Sequence, residues 1–368
     1  MAADKKLKIA FLITGLQSGG AERVMSNLAN EFVKKGHKIR IIVMKKAISD
    51  YELDDRIEFV GADALTVSGK NNFFKGIICY IKNIREFKPD IVVSFLPKTI
   101  IIAMLCRLFL FRKIPVIVCE RANPKIRKGL IGKLNDMLFP LADGCGFQTA
   151  DARDYYKIKN QAKTAILKNP IGADFDIERF IGVRKKEIVT AGRLYDQKNH
   201  ALLVNAFSKI ANKYPEYKLI IYGDGPLMKD LKMLIDKLKL SERVLLPGRV
   251  DNIKGQIYES ALFVLSSDFE GMPNALLEAM ALGLPCISTD CPVGGPRDII
   301  ENYENGILVP VNNVDEMAQA MDEVLSDGIL AEKLGNNAHN IYEEFSLEFV
   351  TEQWKAFIYK ICKDSTVS

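Results

Sequence analysis

Two glutamates eight positions apart, Glu270 and Glu278, lie in the run Phe269-Glu270-Gly271-Met272-Pro273-Asn274-Ala275-Leu276-Leu277-Glu278. A carboxylate accepts two hydroxyl hydrogen bonds at once, which suits a sugar or a ribose. Gly271 lets a ligand approach the backbone. Pro273 fits a first helical position, and the free amides of a helix start favour an anion beside the two acids. Upstream, Gly192-Arg193 is followed by Lys198 just before another expected helix. Arginine grips a phosphate bidentately, whereas lysine acts as a point charge. Taken singly these are ordinary features: a helix-start acid, a solvated helix residue, a charged loop. The setting weighs against that for the glutamates. Ala275, Leu276, Leu277, Ala279, Met280 and Ala281 make the helix apolar nearly all round, and an acid on a buried helix needs a partner.

Strand, loop and helix must hold these groups. Ala261–Leu265 reads as a buried strand, and Asn274–Leu282 as a helix closed by Gly283. A second such unit runs from the strand Glu187–Ala191 through Gly192–Asn199 into the helix His200–Tyr214. Further strands are expected at Tyr217–Tyr222, Val244–Leu246, Pro285–Thr289 and Ile307–Val311. Helices are expected at Leu227–Leu238, Asp315–Leu325, Ile329–Phe345 and Phe349–Ile361. Gly223-Asp224-Gly225 and Arg249-Val250 fall in the turns after two of those strands. The chain opens the same way: strand Lys8–Ile13, Gly-rich turn Gly15–Glu22, helix Ala21–Lys35, strand Lys38–Met44. That turn is no P-loop, because Ala21-Glu22 stands where Lys-Ser/Thr would be needed, and it lacks the dinucleotide spacing. Strands at Ile57–Gly61, Asp90–Phe95, Val116–Glu120 and Gly144–Gln148, with helices around Phe73–Glu86 and Thr99–Phe111, complete an α/β pattern. Asn169-Pro170 and Ile171-Gly172 mark a hinge. The expected domains are residues 1–168 and 169–348, with a last helix at about 349–368.

Glu270 and Glu278 in the setting FEGMPNALLEAMALGLP resemble the paired-glutamate signature of the retaining GT-B glycosyltransferases of family 4. The resemblance covers nearly the whole chain and is strongest from Glu187 to Val311. It implies two Rossmann-like doubly wound domains facing a central cleft, the N-terminal one binding acceptor and the C-terminal one a nucleotide-sugar, with the last helix crossing back to the first domain. Glu278 would hold ribose hydroxyls and Glu270 hydroxyls of the transferred sugar. Arg193 and Lys198 would clamp the diphosphate, with the amides of Met272, Pro273-Asn274 and Ala275 beside it. Gly19 and Gly20 would close over that diphosphate. Gly192, Gly223, Asp224 and Gly225 would face the nucleotide, and Arg249 and Val250 would border its base. Cys291–Ile299 resembles a segment of bacterial polysaccharide members, which favours a UDP-linked hexose or N-acetylhexosamine. Many relatives carry a histidine near the strand end where Glu120-Arg121 stand here, so the acceptor-activating base is left open. Glu120, Arg121 and Asn123, in a loop running to Lys128, are the candidate acceptor-binding residues. No metal or other cofactor is expected: two cations and a helix end serve the diphosphate, and no Asp-x-Asp motif stands beside those residues.

At 368 residues, 48% apolar and 26% charged, the chain is long enough for two cores. Charge is uneven. Residues 1–180 carry 31 Lys+Arg against 19 Asp+Glu and the remainder 20 against 27, which gives +12 and −7 and restores the overall +5. A basic N-terminal half suits a phosphate-bearing acceptor, an anionic membrane surface or nucleic acid. A nucleic-acid-binding module lacks a clustered basic-aromatic motif here, and no nucleic-acid partner is expected. A GT-B-like epimerase or phosphorylase is the nearer alternative. The expected acceptor is a glycan or polyprenyl-linked glycan, and the apolar Ile100–Phe111 stretch adds to a membrane-facing reading. Seven cysteines without a CxxC read as reduced core thiols of a cytoplasmic protein working at the inner face of the cell membrane. No segment is expected to cross a membrane.

Overall fold

A computed structural model describes residues 5–17, 19–62, 73–127 and 129–367; Ser18 and Lys128, in the two loops singled out above, lie outside the described residues. The chain divides into two compact units, Met1–Pro170 with Leu347–Ser368, and Ile171–Ser346.

The first unit holds β1 (Lys8–Ile13), β2 (Lys38–Val43), β3 (Glu58–Gly61), β4 (Ile91–Phe95), β5 (Val116–Cys119), β6 (Gly144–Phe147) and β7 (Thr164–Ile166). They lie side by side in the order β3-β2-β1-β4-β5-β6-β7, all parallel. β4, β5 and β6 are buried at every position, as expected of parallel strands covered on both faces. The helix Gly20–Lys34 buries Val24, Met25, Leu28, Ala29, Phe32 and Val33, one stripe at helical spacing. The last helix, Leu347–Val367, seats Val350, Trp354, Phe357, Ile358 and Ile361 in the same core. Trp354 packs its ring 5.7 Å from that of Phe95.

The second unit repeats the plan with β8 (Lys185–Ala191), β9 (Lys218–Tyr222), β10 (Val244–Gly248), β11 (Ser260–Leu265), β12 (Cys286–Thr289) and β13 (Ile307–Val309). Their order is β10-β9-β8-β11-β12-β13, again all parallel. One core lies under the helices His200–Ile210, Met228–Lys237 and Val314–Ser326; another lies under Asn274–Ala281 on the opposite face. Strand order reverses between β1 and β4 and between β8 and β11. Each reversal opens a crevice at the strands' C-terminal ends, where doubly wound folds place ligands.

Several expectations need correction. Pro273 caps the helix from outside, and its first residue is Asn274. The single helix expected over Ile329–Phe345 is two, Gly328–His339 and Ile341–Phe345. Leu334, Ala338, Ile341 and Phe345 are all buried; their spacing of four, three and four carries one apolar stripe across the break, so periodicity alone reads one helix. The helices Gly129–Leu138 and Ala150–Tyr155 and the strand β7 were not anticipated. Two glycines disguise the first helix, polar residues the second, and β7 is three residues long. Ile100–Met104 is core, leaving only Phe109 and Leu110 of the Ile100–Phe111 stretch well exposed. All seven cysteines are free; burial pushes the thiols of Cys119, Cys145 and Cys291 up to about 12.

Candidate active site

The loops after β8 and β11 flank the reversal in the second sheet, and they bring together residues some seventy positions apart. Lys198 Nζ lies 2.5 Å from Glu270 Oε1. Ser267 Oγ donates to the same oxygen at 2.7 Å. Gln197 Nε2 donates to Glu270 Oε2 at 3.3 Å and to the carbonyl of Phe269 at 3.0 Å. Glu270 is thus an acceptor held by three side-chain donors, 6% exposed, with one lone-pair direction left on Oε2 for a further hydroxyl donor.

The backbone fixes both loops. Asp268 N donates to Gln197 O (2.8 Å), Ser266 Oγ to Lys198 O (2.9 Å) and Asn199 Nδ2 to Asp268 Oδ1 (2.7 Å). Asn199 is left-handed at φ 41° and caps the helix His200–Ile210 by accepting from Leu202 N, a role in which asparagine is favoured. From the other side, Glu270 N donates to Pro292 O (2.7 Å) and Val293 N to Glu270 O (2.9 Å). The Cys291–Ile299 segment therefore clamps the main chain of Glu270. Gly295 is obligatory in that clamp, because a Cβ there would sit 1.6 Å from the carbonyl oxygen of Gly271.

Glu278 is 8% exposed, inside the helix Asn274–Ala281, whose Leu276, Leu277, Ala279, Met280 and Ala281 are buried around it. Gly271–Ala275 lead directly from Glu270 into that helix. Gly192 lies under the stem of Lys198, where a Cβ would meet Cε at 3.2 Å. The Gly223-Asp224-Gly225 turn backs the Gly192–Leu194 loop: Gly192 N donates to Tyr222 O and Leu194 N to Asp224 O, both at 2.9 Å. Gly223, at φ 142°, has the carbonyl oxygen of Gly192 1.9 Å from where a Cβ would be. Arg193 is exposed and stacks 5.3 Å over the ring of Tyr195. Arg249, exposed, and Val250, half-buried, follow β10.

In the first unit, Gly19 precedes the helix Gly20–Lys34, and its carbonyl accepts from Arg23 N and from the Tyr51 hydroxyl. Glu120, Arg121 and Asn123 follow β5, and each is held by internal hydrogen bonds, with Arg121 Nε buried without a partner. Glu120 Oε2 accepts from Arg127 Nη1 (2.5 Å) and Tyr156 Oη (2.6 Å), and Oε1 from the amides of Arg121 and Ala122. Arg121 donates to Asn169 Oδ1 (2.6 Å) and stacks 4.8 Å over Phe95; burial pushes it down to about 10. Asn123 accepts from Lys125 N.

Sequence reasoning missed Ser267, Gln197 and Asn199. Ser267 does stand in an S-x-x-E spacing, Ser267-Asp268-Phe269-Glu270, which is ordinarily a helix-start signal. Here no helix begins at Ser267, and the serine holds the glutamate instead.

The fold is that of the GT-B glycosyltransferases. The solved sucrose-phosphate synthase of Thermosynechococcus elongatus matches with a TM-score of 0.82 over 97% of this chain and 99% of that one, at 16% identity. The family model for Glycosyltransferase Family 4 matches residues 18–156, and that for glycosyl transferases group 1 matches residues 174–341. The chain belongs to the family 4 glycosyltransferases. Two relatives are enzymes of Campylobacter jejuni. One, an N-acetylgalactosamine-N,N'-diacetylbacillosaminyl-diphospho-undecaprenol 4-alpha-N-acetylgalactosaminyltransferase, is 30% identical over 90% of this chain and 93% of its own length. The other, an alpha-1,4-N-acetyl-D-galactosaminyltransferase extending a diphosphoundecaprenol-linked glycan, is 28% identical over 96% of this chain and 99% of its own length.

Proposed function

We propose that the chain moves a hexose or N-acetylhexosamine, with retention of configuration, from a UDP-sugar to a polyprenyl-linked glycan in surface polysaccharide synthesis. The observation that carries the reading is the meeting of Lys198 with Glu270 at the reversal of the second sheet, 2.5 Å apart beside the start of the helix bearing Glu278. A cation and an acid at one crevice, followed by a helix start and a second acid on that helix, match what a nucleotide-sugar presents: a diphosphate flanked by two sets of hydroxyls. The N-acetylgalactosaminyl group and undecaprenol-linked acceptors in the relatives' names support the sugar and acceptor classes. The Cys291–Ile299 resemblance supports uridine.

In this reading Glu278 takes the ribose hydroxyls and Glu270 those of the transferred sugar. Lys198, Arg193 and the amides of Met272–Ala275 stabilise the charge that builds on the departing diphosphate, which is where rate must come from. Arg249 and Val250 border the base. Glu120, Arg121 and Asn123 shape the loop that receives the acceptor. Because Glu120 is saturated with donors, the acceptor hydroxyl loses its proton to the leaving phosphate on the same face of the sugar, and no metal takes part. The protein works at the inner face of the cell membrane; among the described residues no helix is long and apolar enough to cross it.

A thermal-shift panel of UDP, GDP, ADP and TDP without added metal tests the donor site. A ligand at about 100-fold its Kd stabilises by about 2.7 kcal/mol. A shift with UDP alone is expected. A shift with another nucleotide would discard the uridine assignment, and none at all in folded protein would remove the donor site.

A further inference from the structure

Single apolar side chains on a surface need no explanation, but grouped ones do. Among the described residues the exposed large apolar side chains concentrate between Phe109 and Leu141. The helices Pro97–Phe109 and Gly129–Leu138 pack against each other, and the turn Phe139–Leu141 adjoins both. On the second helix Gly132, Asn135 and Leu138 are buried. That spacing of three leaves Leu130, Lys133 and Met137 on the opposite face. Leu130 is 80% exposed, Met137 62% and Phe109 71%.

The charges interleaved with them are of one sign. Arg112, Lys113, Lys125 and Lys133 are exposed. The acids of this stretch are occupied: Glu120 by Arg127 and Tyr156, Asp136 by Arg127 and Tyr155, Asp143 by Arg107. We infer that this face docks on an anionic lipid bilayer. Leu130, Met137 and Phe109 enter the boundary between headgroups and acyl chains, while the lysines and arginines reach the lipid phosphates along their aliphatic stems. A bilayer offers apolar depth and negative charge together. A second copy would set this same cationic face against itself across a two-fold axis. The inference rests on the lipid-linked acceptor reading, which gives the docking its use, but its test needs neither donor nor acceptor.

The test is co-sedimentation of the full chain with vesicles of phosphatidylcholine alone and of phosphatidylcholine mixed with phosphatidylglycerol. Binding is expected to the anionic vesicles, weakened at about 0.5 M salt. Leu130→Ser with Met137→Ser should lower the partition by roughly tenfold or more, and Lys133→Glu by roughly fivefold or more. The variants change exposed side chains, so their melting curves and nucleotide-induced shifts should match the parent. A parent that stays in the supernatant, or a double variant that binds as well as the parent, would overturn the inference. So would a dimer in ultracentrifugation that the double variant abolishes, since the face would then belong to a second copy. Vesicle binding that persists without any nucleotide shift would refute the donor-site reading and still uphold this one.

Discussion

Breaking the Lys198–Glu270 pair should reduce stability and turnover together, and a double-variant cycle separates the two effects. Glu270→Ala removes the acceptor of Lys198 Nζ, Ser267 Oγ and one bond of Gln197. Losing one partner of a fully buried ion pair costs about 3–5 kcal/mol. The Lys198 side chain is 15% exposed and can turn towards water, which reduces this to about 2 kcal/mol. The Ser267 hydroxyl is wholly buried, and orphaning it adds about 1 kcal/mol. A total of about 3 kcal/mol should lower the melting temperature of the C-terminal unit by roughly 6–12 °C. Glu270→Gln keeps the volume and an acceptor for Ser267, so it should cost less. Lys198→Met placed in the Glu270→Gln background should recover about 1–2 kcal/mol relative to the two single variants added. Urea melts of the four proteins measure that coupling. Additivity within about 0.3 kcal/mol would show that the pair is not energetically coupled. Turnover is read on the same proteins. Glu270→Ala should reduce kcat/KM by about 100-fold or more if its hydrogen bonds to the sugar strengthen in the transition state, and near-normal turnover would refute that role.

His200 is buried, its ring nitrogens make no hydrogen bond of ordinary geometry, and burial followed by the charge of Lys198 pushes it down to about 4. A folded-state value below the unfolded one gives stability that is present above about pH 6.5 and is lost as pH falls towards 4, some 2–3 kcal/mol by about pH 4.5. His200→Leu should flatten that slope in urea melts, and an unchanged slope would contradict it. Gly295→Ala should displace the Glu270–Met272 loop, with a loss of at least several kcal/mol or of folding itself; a melting curve like the parent's would show that the clamp can relax. Ser267→Ala should lower kcat by about tenfold while leaving the UDP shift in place; loss of the shift instead would make Ser267 part of donor binding. Turnover should survive EDTA, and activity lost in EDTA but restored by Mg²⁺ or Mn²⁺ would end the metal-independent reading.

The parts legible in the sequence are those governed by local pattern. Lys8–Ile13 is an unbroken apolar run after lysine, and β1 has those bounds. The apolar surroundings of Glu278 announced a buried helix, and the helix Asn274–Ala281 is buried. The pairing of Lys198 with Glu270 is of another kind. It depends on β8 and β11 being neighbours across the reversal of strand order, which follows from the right-handed winding of the whole sheet and not from either loop. Gln197 and Ser267 were illegible for the same reason, since each owes its role to a glutamate whose position only the finished sheet decides.

Glu120 shows the converse limit. By residue type and by its place after a strand end it is as good a candidate base as any in the chain. A general base needs a free lone pair directed at the proton it takes. The fold surrounds Glu120 with the Arg127 guanidinium, the Tyr156 hydroxyl and two main-chain amides, and these donors fill the directions from which an acceptor hydroxyl would approach. Arg127 stands seven residues on and Tyr156 on another element, so no local spacing signals the arrangement. The same carboxylate chemistry therefore points two ways in one chain. At Glu270 three side-chain donors leave one acceptor direction open; at Glu120 four donors lock the start of a loop. That difference argues for leaving the acceptor's proton to the departing phosphate. A Glu120→Gln variant whose kcat/KM falls while the shape of its pH profile stays that of the parent would fit a loop-holding role, whereas loss of an acidic limb from the profile would return Glu120 to the chemistry.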